Sequence, residues 1–401
     1  MPEKVPRGRR TRISVVLAVI ALGAAACSAT GSGGGSQGDT IKIGAILPIT
    51  GPVSEWGESN KAMLKMLEDE VNADGGVDGK KLKFVVYDSG AKPVEAANLV
   101  RKLATKDEVV AIIGPFTSSE AEVAFPVANQ LKIPVTAQAS SKPGVAEQNR
   151  PWAFRNTVDE SIYLKSVVPA MIKDTGAKRA VIAYDSADAV GSSIGQKILP
   201  VVLKESGLNV VNSSKPVTFT TTDIDLKSQV SNLASSDADV VGVGAFYNGA
   251  AKLMREMSSR GVNTPIVGGS TLVSANILDA APKTPIYSGG TYYPGAEQAA
   301  DWTKRAQDAL KKEGVSGAPT MFESQIYEIG EMYVEAIRSG KLGDKDLAKA
   351  REGIRTFMTN LDGFQGLASK ISMKPTGDVS RDFFVIKGVD GAWSVLATAK
   401  P

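Results

Sequence analysis

Histidine is absent from the 401 residues, and cysteine occurs once. No Ser-His or Cys-His nucleophile pair, no imidazole metal ligand and no side chain that titrates unperturbed near neutrality can therefore be assembled. Catalysis by carboxylates or lysines is the route that survives this filter, so the absence lowers the expectation of an enzyme without removing it. A single cysteine rules out an intramolecular disulfide. Neither a GxxxxGK[ST] phosphate loop nor a GxGxxG turn is present, which leaves any nucleotide hydrolysis to a partner. Aromatic residues are sparse at 6%, against 43% hydrophobic and 22% charged residues. This is the composition of an ordinary globular protein, and the length suits two domains of roughly 150 residues each.

The formal charge of +3 is misleading as an average. Lys4, Arg7, Arg9, Arg10 and Arg12 stand against Glu3 at the N-terminus, a net +4 that leaves the remainder near −1. The excess belongs to a targeting segment, and no basic face for nucleic acid is implied. Ile13 to Ala26 is apolar and ends in small residues, which is shorter than the roughly 20 residues that span a bilayer. Residues 1–26 read as a signal peptide. Cys27 directly follows three alanines in a segment that resembles a bacterial lipobox, so Cys27 is expected to carry the acyl chains that anchor the protein to the outer face of the cytoplasmic membrane. Residues 27–39, rich in Gly and Ser, form a flexible tether.

From Asp39 onward short apolar strands alternate with amphipathic helices. The pattern predicts strands at Ile41–Leu47, Leu82–Tyr87, Val109–Ile113 and Ile133–Ala137, with helices between them. It restarts near Tyr163, with strands at Arg179–Tyr184, Leu208–Asn212 and Val240–Gly244, helices from Gly191 and over Ile224–Ala234, and further strands at Pro265–Val267 and Ile286–Gly289. Helices near Ala299–Lys312, Met321–Ser339 and Asp346–Thr359 precede terminal strands at Phe383–Ile386 and Trp393–Ala397. The fold class expected is α/β, two doubly wound parallel-sheet lobes. Ligands of such sheets bind beyond the carboxyl ends of the strands, so the residues that follow the strands are the ones to inspect.

Those positions carry a recognisable series. The segments IKIGAILPITGPVSEWGESN, VNADGGVDGKKLKFVVYDSGAKP and VVAIIGPFTSSEAEVAFPVANQLKIPVTAQASSKP resemble the leucine/isoleucine/valine-binding protein family, the amino-acid type of periplasmic binding protein with the type I fold. The likeness runs from Ile41 to Ala397, densest in the first half. It implies lobes formed by residues 40–158 plus 291–385 and by 159–290 plus 386–401, joined by a three-strand hinge near Val158, Gly290 and Ile386. It also implies an extracytoplasmic solute-binding lipoprotein that is monomeric and not an enzyme, has no cofactor, metal or nucleic acid, and delivers a small molecule to an ABC permease with a cytoplasmic ATPase. A sensory receptor of the same fold is the alternative output.

Ser118 and Ser119 follow a strand and open a helix, where hydroxyls and free N–H groups suit a carboxylate. Ala139, Ser140 and Ser141 follow the next strand. By resemblance the ligand-binding residues are Ser118, Ala139 through its backbone, Ser141, the aromatic Trp56 in the loop after the first strand, and Phe246 and Phe322 across the cleft. Ser270 stands where the family's amino-acid members present a carboxylate to the ligand ammonium, and Val190 replaces a family tyrosine. Either another acid such as Asp185 or Asp188 serves the ammonium, or the ligand lacks one. The ligand expected is an amino acid or related small carboxylate or amide with an apolar body. Gly191–Gly195 matches GxSxG, but the absent histidine removes a hydrolase reading; small residues there let a helix start close to the cleft. Asp223 and Asp225 precede a helix and suit its N-terminal dipole better than a metal.

Overall fold

The computed structural model describes residues 39–401. The 1–26 leader, Cys27 and the tether up to residue 38 lie outside the described residues.

Five parallel strands build the first sheet: β1 (Thr40–Leu47), β2 (Lys81–Asp88), β3 (Ile112–Ile113), β4 (Val135–Ala137) and β5 (Ala153–Arg155). Their spatial order is β2-β1-β3-β4-β5. Helices α1 (Glu55–Ala73), α2 (Pro93–Thr105) and α3 (Ser118–Leu131) supply the crossovers. Pro93 opens α2, where its missing N–H costs nothing, and a Thr117–Glu120 capping box opens α3. Chain order reverses between β1 and β3, so the loops leaving these two strands diverge and open a crevice between them.

The chain then runs through α4 (Glu160–Thr175) into a second sheet. It holds β6 (Arg179–Asp185), β7 (Asn209–Val210), β8 (Val217–Phe219), β9 (Val240–Gly244), β10 (Ile266–Gly268) and β11 (Ile286–Gly290). Its helices are α5 (Ala189–Ser193), α6 (Leu199–Glu205), α7 (Lys227–Ala234), α8 (Tyr247–Ser259) and α9 (Ala275–Ala280). The same reversal recurs between β6 and β9. Helices α10 (Ala300–Lys312), α11 (Met321–Gly340) and α12 (Leu347–Thr359) follow, with α10 and α11 packed on α1 of the first layer. A small antiparallel sheet of β12 (Phe364–Gln365), β13 (Lys370–Met373) and β14 (Val379–Ser380) precedes β15 (Phe383–Val389) and β16 (Ala392–Ala399). These last two strands return to the second sheet and extend it antiparallel to β11. The α/β class with two sheets wound in parallel is as expected, and the antiparallel edge is an addition to it.

Several boundaries differ from the sequence reading. The helix expected from Ile224 begins at Lys227, because the Asp223 and Asp225 carboxylates accept from Thr220 N and Lys227 N and hold the preceding residues in a turn. Ile224 is left 99% exposed. The helix expected from Gly191 begins at Ala189, capped by the Asp188 carboxylate. Small residues do bring it close to the sheet: a Cβ on Gly191 would lie 2.9 Å from Gly244 O, and one on Gly195 would lie 2.3 Å from Tyr184 Cβ. Strands β5, β8 and β12–β14 are too short to leave a pattern of alternation.

Candidate ligand-binding site

Five aromatic rings from both layers meet where the loops of the two crevices face each other. Trp56 belongs to the first turn of α1 rather than to the loop before it. Its ring stacks on Phe116 at 5.1 Å between centroids, tilts against Phe322 at 4.4 Å, and meets Tyr247 edge-on at 4.6 Å and Phe246 at 6.3 Å. Phe116 follows β3 and Phe322 opens α11, whereas Phe246 and Tyr247 follow β9. Each such pair adds about 0.5–1.5 kcal/mol beyond the burial of its area. The wall is anchored from behind by Gln138, whose Nε2 donates to Asn60 Oδ1 (3.0 Å) and to the Phe322 carbonyl. Trp56 Nε1 is buried without a hydrogen-bond partner.

The hydroxyl loops adjoin this wall. Ser118 is the first residue of α3 and not its cap, a role that Thr117 fills. Ser118 Oγ accepts from Lys142 N (3.2 Å) and bonds Ser140 Oγ (3.2 Å), which ties the two loops together. Ala139 packs in the same apolar cluster as Trp56, Phe116, Phe246 and Phe322. Ser141 is fully buried, and its hydroxyl faces the Glu160 carboxylate. The loop owes its shape to Arg155, a buried side chain that the sequence reading passed over. Arg155 Nη1 donates to the carbonyls of Ser140 (2.8 Å) and Lys142 (2.6 Å), while its Nε reaches Asp378 Oδ1 (2.6 Å).

Ser270 does face a carboxylate, one that the sequence reading did not consider. Glu160, the first residue of α4, accepts from Ser270 Oγ at Oε1 (2.6 Å) and from Ser270 N at Oε2 (3.0 Å). Glu160 N in turn donates to the Ser141 carbonyl (3.2 Å), so Ser141 and Ser270 meet across one buried acid. Burial pushes the Glu160 carboxyl up to about 7, against the lowering effect of hydrogen bonds from Ser270 and Ser141. The signal that was available is the Asp-Glu pair before an apolar helix, which reads equally well as ordinary helix-start acids.

Asp185 and Asp188 are engaged elsewhere. Asp185 accepts from Thr221 Oγ1 (2.7 Å) and Ala187 N (2.9 Å). Asp188 caps α5, and burial raises it to about 6. Both line a cavity of about 350 Å³ between the layers, bounded on one side by Pro52, Val53 and Thr117 and on the other by Thr221, Phe246 and Asn248. Polar contacts bridge the same opening: Asn248 Nδ2 donates to the Pro52 carbonyl (2.6 Å), and Ser274 Oγ donates to Glu55 Oε1 (3.0 Å).

Comparison with known proteins bears on this geometry. Residues 40–392 match the family described as periplasmic binding protein. The chain is similar to the Leu/Ile/Val-binding protein BraC3 of Rhizobium johnstonii, 24% identical over 355 residues that cover 86% of this chain and 90% of that protein. It is similar in structure to the branched-chain amino acid transporter substrate binding protein LivJ from Streptococcus pneumoniae in complex with isoleucine. That match has a TM-score of 0.79 at 22% identity and covers 90% of this chain and 100% of LivJ. A solute binding protein of an ABC transporter from R. palustris, in complex with benzoate, gives a TM-score of 0.76 at 22% identity, covering 90% and 97% of the two chains. At these identities the structural likenesses show a shared fold.

Proposed function

This chain belongs to the periplasmic binding protein family, and on that premise we propose that it is the extracytoplasmic solute-binding lipoprotein of an ABC importer, and not an enzyme. Its solute is an amino acid or related small carboxylate or amide with an apolar body, held between the two layers. The observation that carries the reading is the convergence of Trp56, Phe116, Phe246, Tyr247 and Phe322 beside the hydroxyl loops at Ser118 and Ala139–Ser141. An apolar wall with a few fixed polar groups is the usual composition of a small-molecule site. Isoleucine and benzoate, the ligands named for two structures of this fold, have in common a carboxylate on an apolar body.

In mechanism, residues 40–158 plus 291–385 and residues 159–290 plus 386–401 act as two lobes that close about their three connections. The aromatic wall takes the apolar body. Free N–H groups at the start of α3 and the Ala139–Ser141 loop take the carboxylate, where hydrogen bonds to a charged group are worth roughly 1.5–3 kcal/mol each. A solute touching both lobes favours the closed form by the difference of its affinities for closed and open states. Asn248–Pro52 and Ser274–Glu55 then latch the mouth, and the permease recognises the closed lobes. Cys27 anchors the body through the 27–39 tether.

Mass spectrometry of solute carried through purification, followed by calorimetric titration of the compound found, tests this directly. A carboxylate or amide with an apolar body is expected, at one per chain and unaltered after incubation. Turnover of the bound compound, or a purely polar solute such as a sugar, contradicts the proposal. For the anchor, labelled fatty acid is expected to enter the wild-type chain and not Cys27→Ser, which is released from the membrane; equal labelling of both sinks the assignment of Cys27.

A further inference from the structure

We infer that the end of the first sheet at which the chain enters the fold, a surface of exposed lysines around Thr40, rests on an anionic lipid surface; this depends on the reading of Cys27 as the lipid anchor. Parallel register sets Thr40 beside Lys81 and Lys42 beside Lys83, so all four share one face of β1 and β2. No acid stands on that face of either strand, since the residues that continue it are Gly44, Ile46, Val85 and Tyr87. Lys42 Nζ donates to the Asp107 carbonyl (3.1 Å), which brings the end of α2 and Lys106 to the same lysines. Lys80 Nζ donates to the Gly343 carbonyl (2.8 Å) and pairs with Asp344, so the connection between α11 and α12, with Lys341 and Lys345, belongs to this end too.

Lys81, Lys83, Lys106, Lys341 and Lys345 are exposed and form no ion pair among the described residues. Asp39, Asp78, Asp107 and Glu108 are the acids of this end without an ion pair, and they are offset in part by Lys42 and by Arg351, which donates to the Ala104 and Val109 carbonyls. The excess is three positive charges, in a body of residues 39–401 whose formal charge is near −1. Lysines at the last turn of a helix complement its dipole, which accounts for Lys106 and Lys341. Lys42, Lys81 and Lys83 stand on strands instead, where like charges on neighbouring strands repel and weaken the pairing. A negative surface removes that repulsion. Position points to the same partner. Thirteen residues, Cys27 to Asp39, precede Thr40, and a Gly/Ser-rich chain of that length spans about 20 Å on average and about 45 Å at most. An acyl group on Cys27 therefore holds this end of the body near the headgroups. Within a Debye length of about 8 Å, each net positive charge favours contact with an anionic leaflet by about fivefold. The solute loops leave the opposite ends of the strands, and the eight residues of β1 span roughly 25 Å, so a body seated this way keeps its mouth clear of the lipid.

The single cysteine provides the test. The chain from Cys27 onward, which includes the whole described fold, is coupled through Cys27 to a maleimide-bearing lipid in vesicles of phosphatidylcholine, alone or mixed equally with phosphatidylglycerol. Lysine acetylation rates are then followed by mass spectrometry. Lys81, Lys83 and Lys106 are expected to react about threefold or more slowly on the vesicles with phosphatidylglycerol, and high salt is expected to abolish the difference. Lys204 in α6 and Lys215 before β8, both exposed, are expected to react equally on the two. Lys42→Gln combined with Lys83→Gln is expected to restore most of the reactivity of Lys81 and Lys106 and to leave solute binding unchanged. Equal rates on the two kinds of vesicle overturn the inference. So does slowing spread evenly over all lysines, or slowing that persists in high salt, since these report adsorption or crowding. The coupling is chemical, so the result is independent of acylation in cells: a chain that takes up no labelled fatty acid yet shows the slowing loses the anchor and keeps the lysine surface.

Discussion

Replacing the buried acid in Glu160→Gln has a consequence for stability in the absence of any solute. The carboxyl stands at about 7 in the folded chain against an ordinary 4.5. A raised acid binds its proton more tightly folded than unfolded, so its contribution is fully present below about pH 4.5 and is lost as pH rises through 7. Holding the ionised form costs about 3 kcal/mol relative to the neutral one. Asp188, raised to about 6 by burial, acts in the same direction, but it is common to wild type and variant and cancels in their difference. Glutamine keeps an oxygen to accept from Ser270 and cannot ionise. Thermal melts followed by circular dichroism at about pH 5 and pH 8 are the assay. Wild type is expected to lose roughly 2–3 kcal/mol more than Glu160→Gln across that interval, so that the variant is the more stable protein at pH 8. Parallel pH profiles for the two proteins refute the premise that this acid is buried without a cation.

Trp56→Ala removes the ring that four others touch and is expected to cost about 3–5 kcal/mol in a melt, together with a loss of solute binding in calorimetry. Retention of wild-type affinity would exclude the aromatic wall as the binding surface. Arg381→Met strands the fully buried Glu328 and is expected to cost about 3–5 kcal/mol, much of it recovered in the double variant with Glu328→Gln. Additive losses in the two variants would deny that these residues form a pair.

Legibility in the sequence followed the length of each signal. Strands such as Val240–Gly244, continuous and β-branched, were readable to the residue, because buried parallel strands need no polar alternation. Two-residue strands such as β7 and β12 were not, since their pairing is imposed by neighbours rather than by their own composition. Trp56, Phe246 and Phe322 are legible through the resemblance, and the structure gathers them on one wall. Phe116 and Tyr247 were missed although they too lie just after strands, because an aromatic beside a strand end reads as core. Glu160 and Arg155 were missed for a different reason: their importance lies in partners more than a hundred residues distant, Ser270 and Asp378, and spacing along the chain carries no trace of that. The expected alternatives Asp185 and Asp188 were chosen for nearness to a strand end; Asp188 caps α5, and Asp185 accepts from Ala187 N and Thr221 Oγ1.

The central claim is that one solute draws two lobes together. Small-angle X-ray scattering from the chain, first stripped of bound solute and then saturated with the compound identified by mass spectrometry, tests it most directly. The account predicts a smaller radius of gyration on saturation, reversed when the solute is removed. Identical scattering curves at full occupancy, with binding established by calorimetry on the same sample, would contradict it.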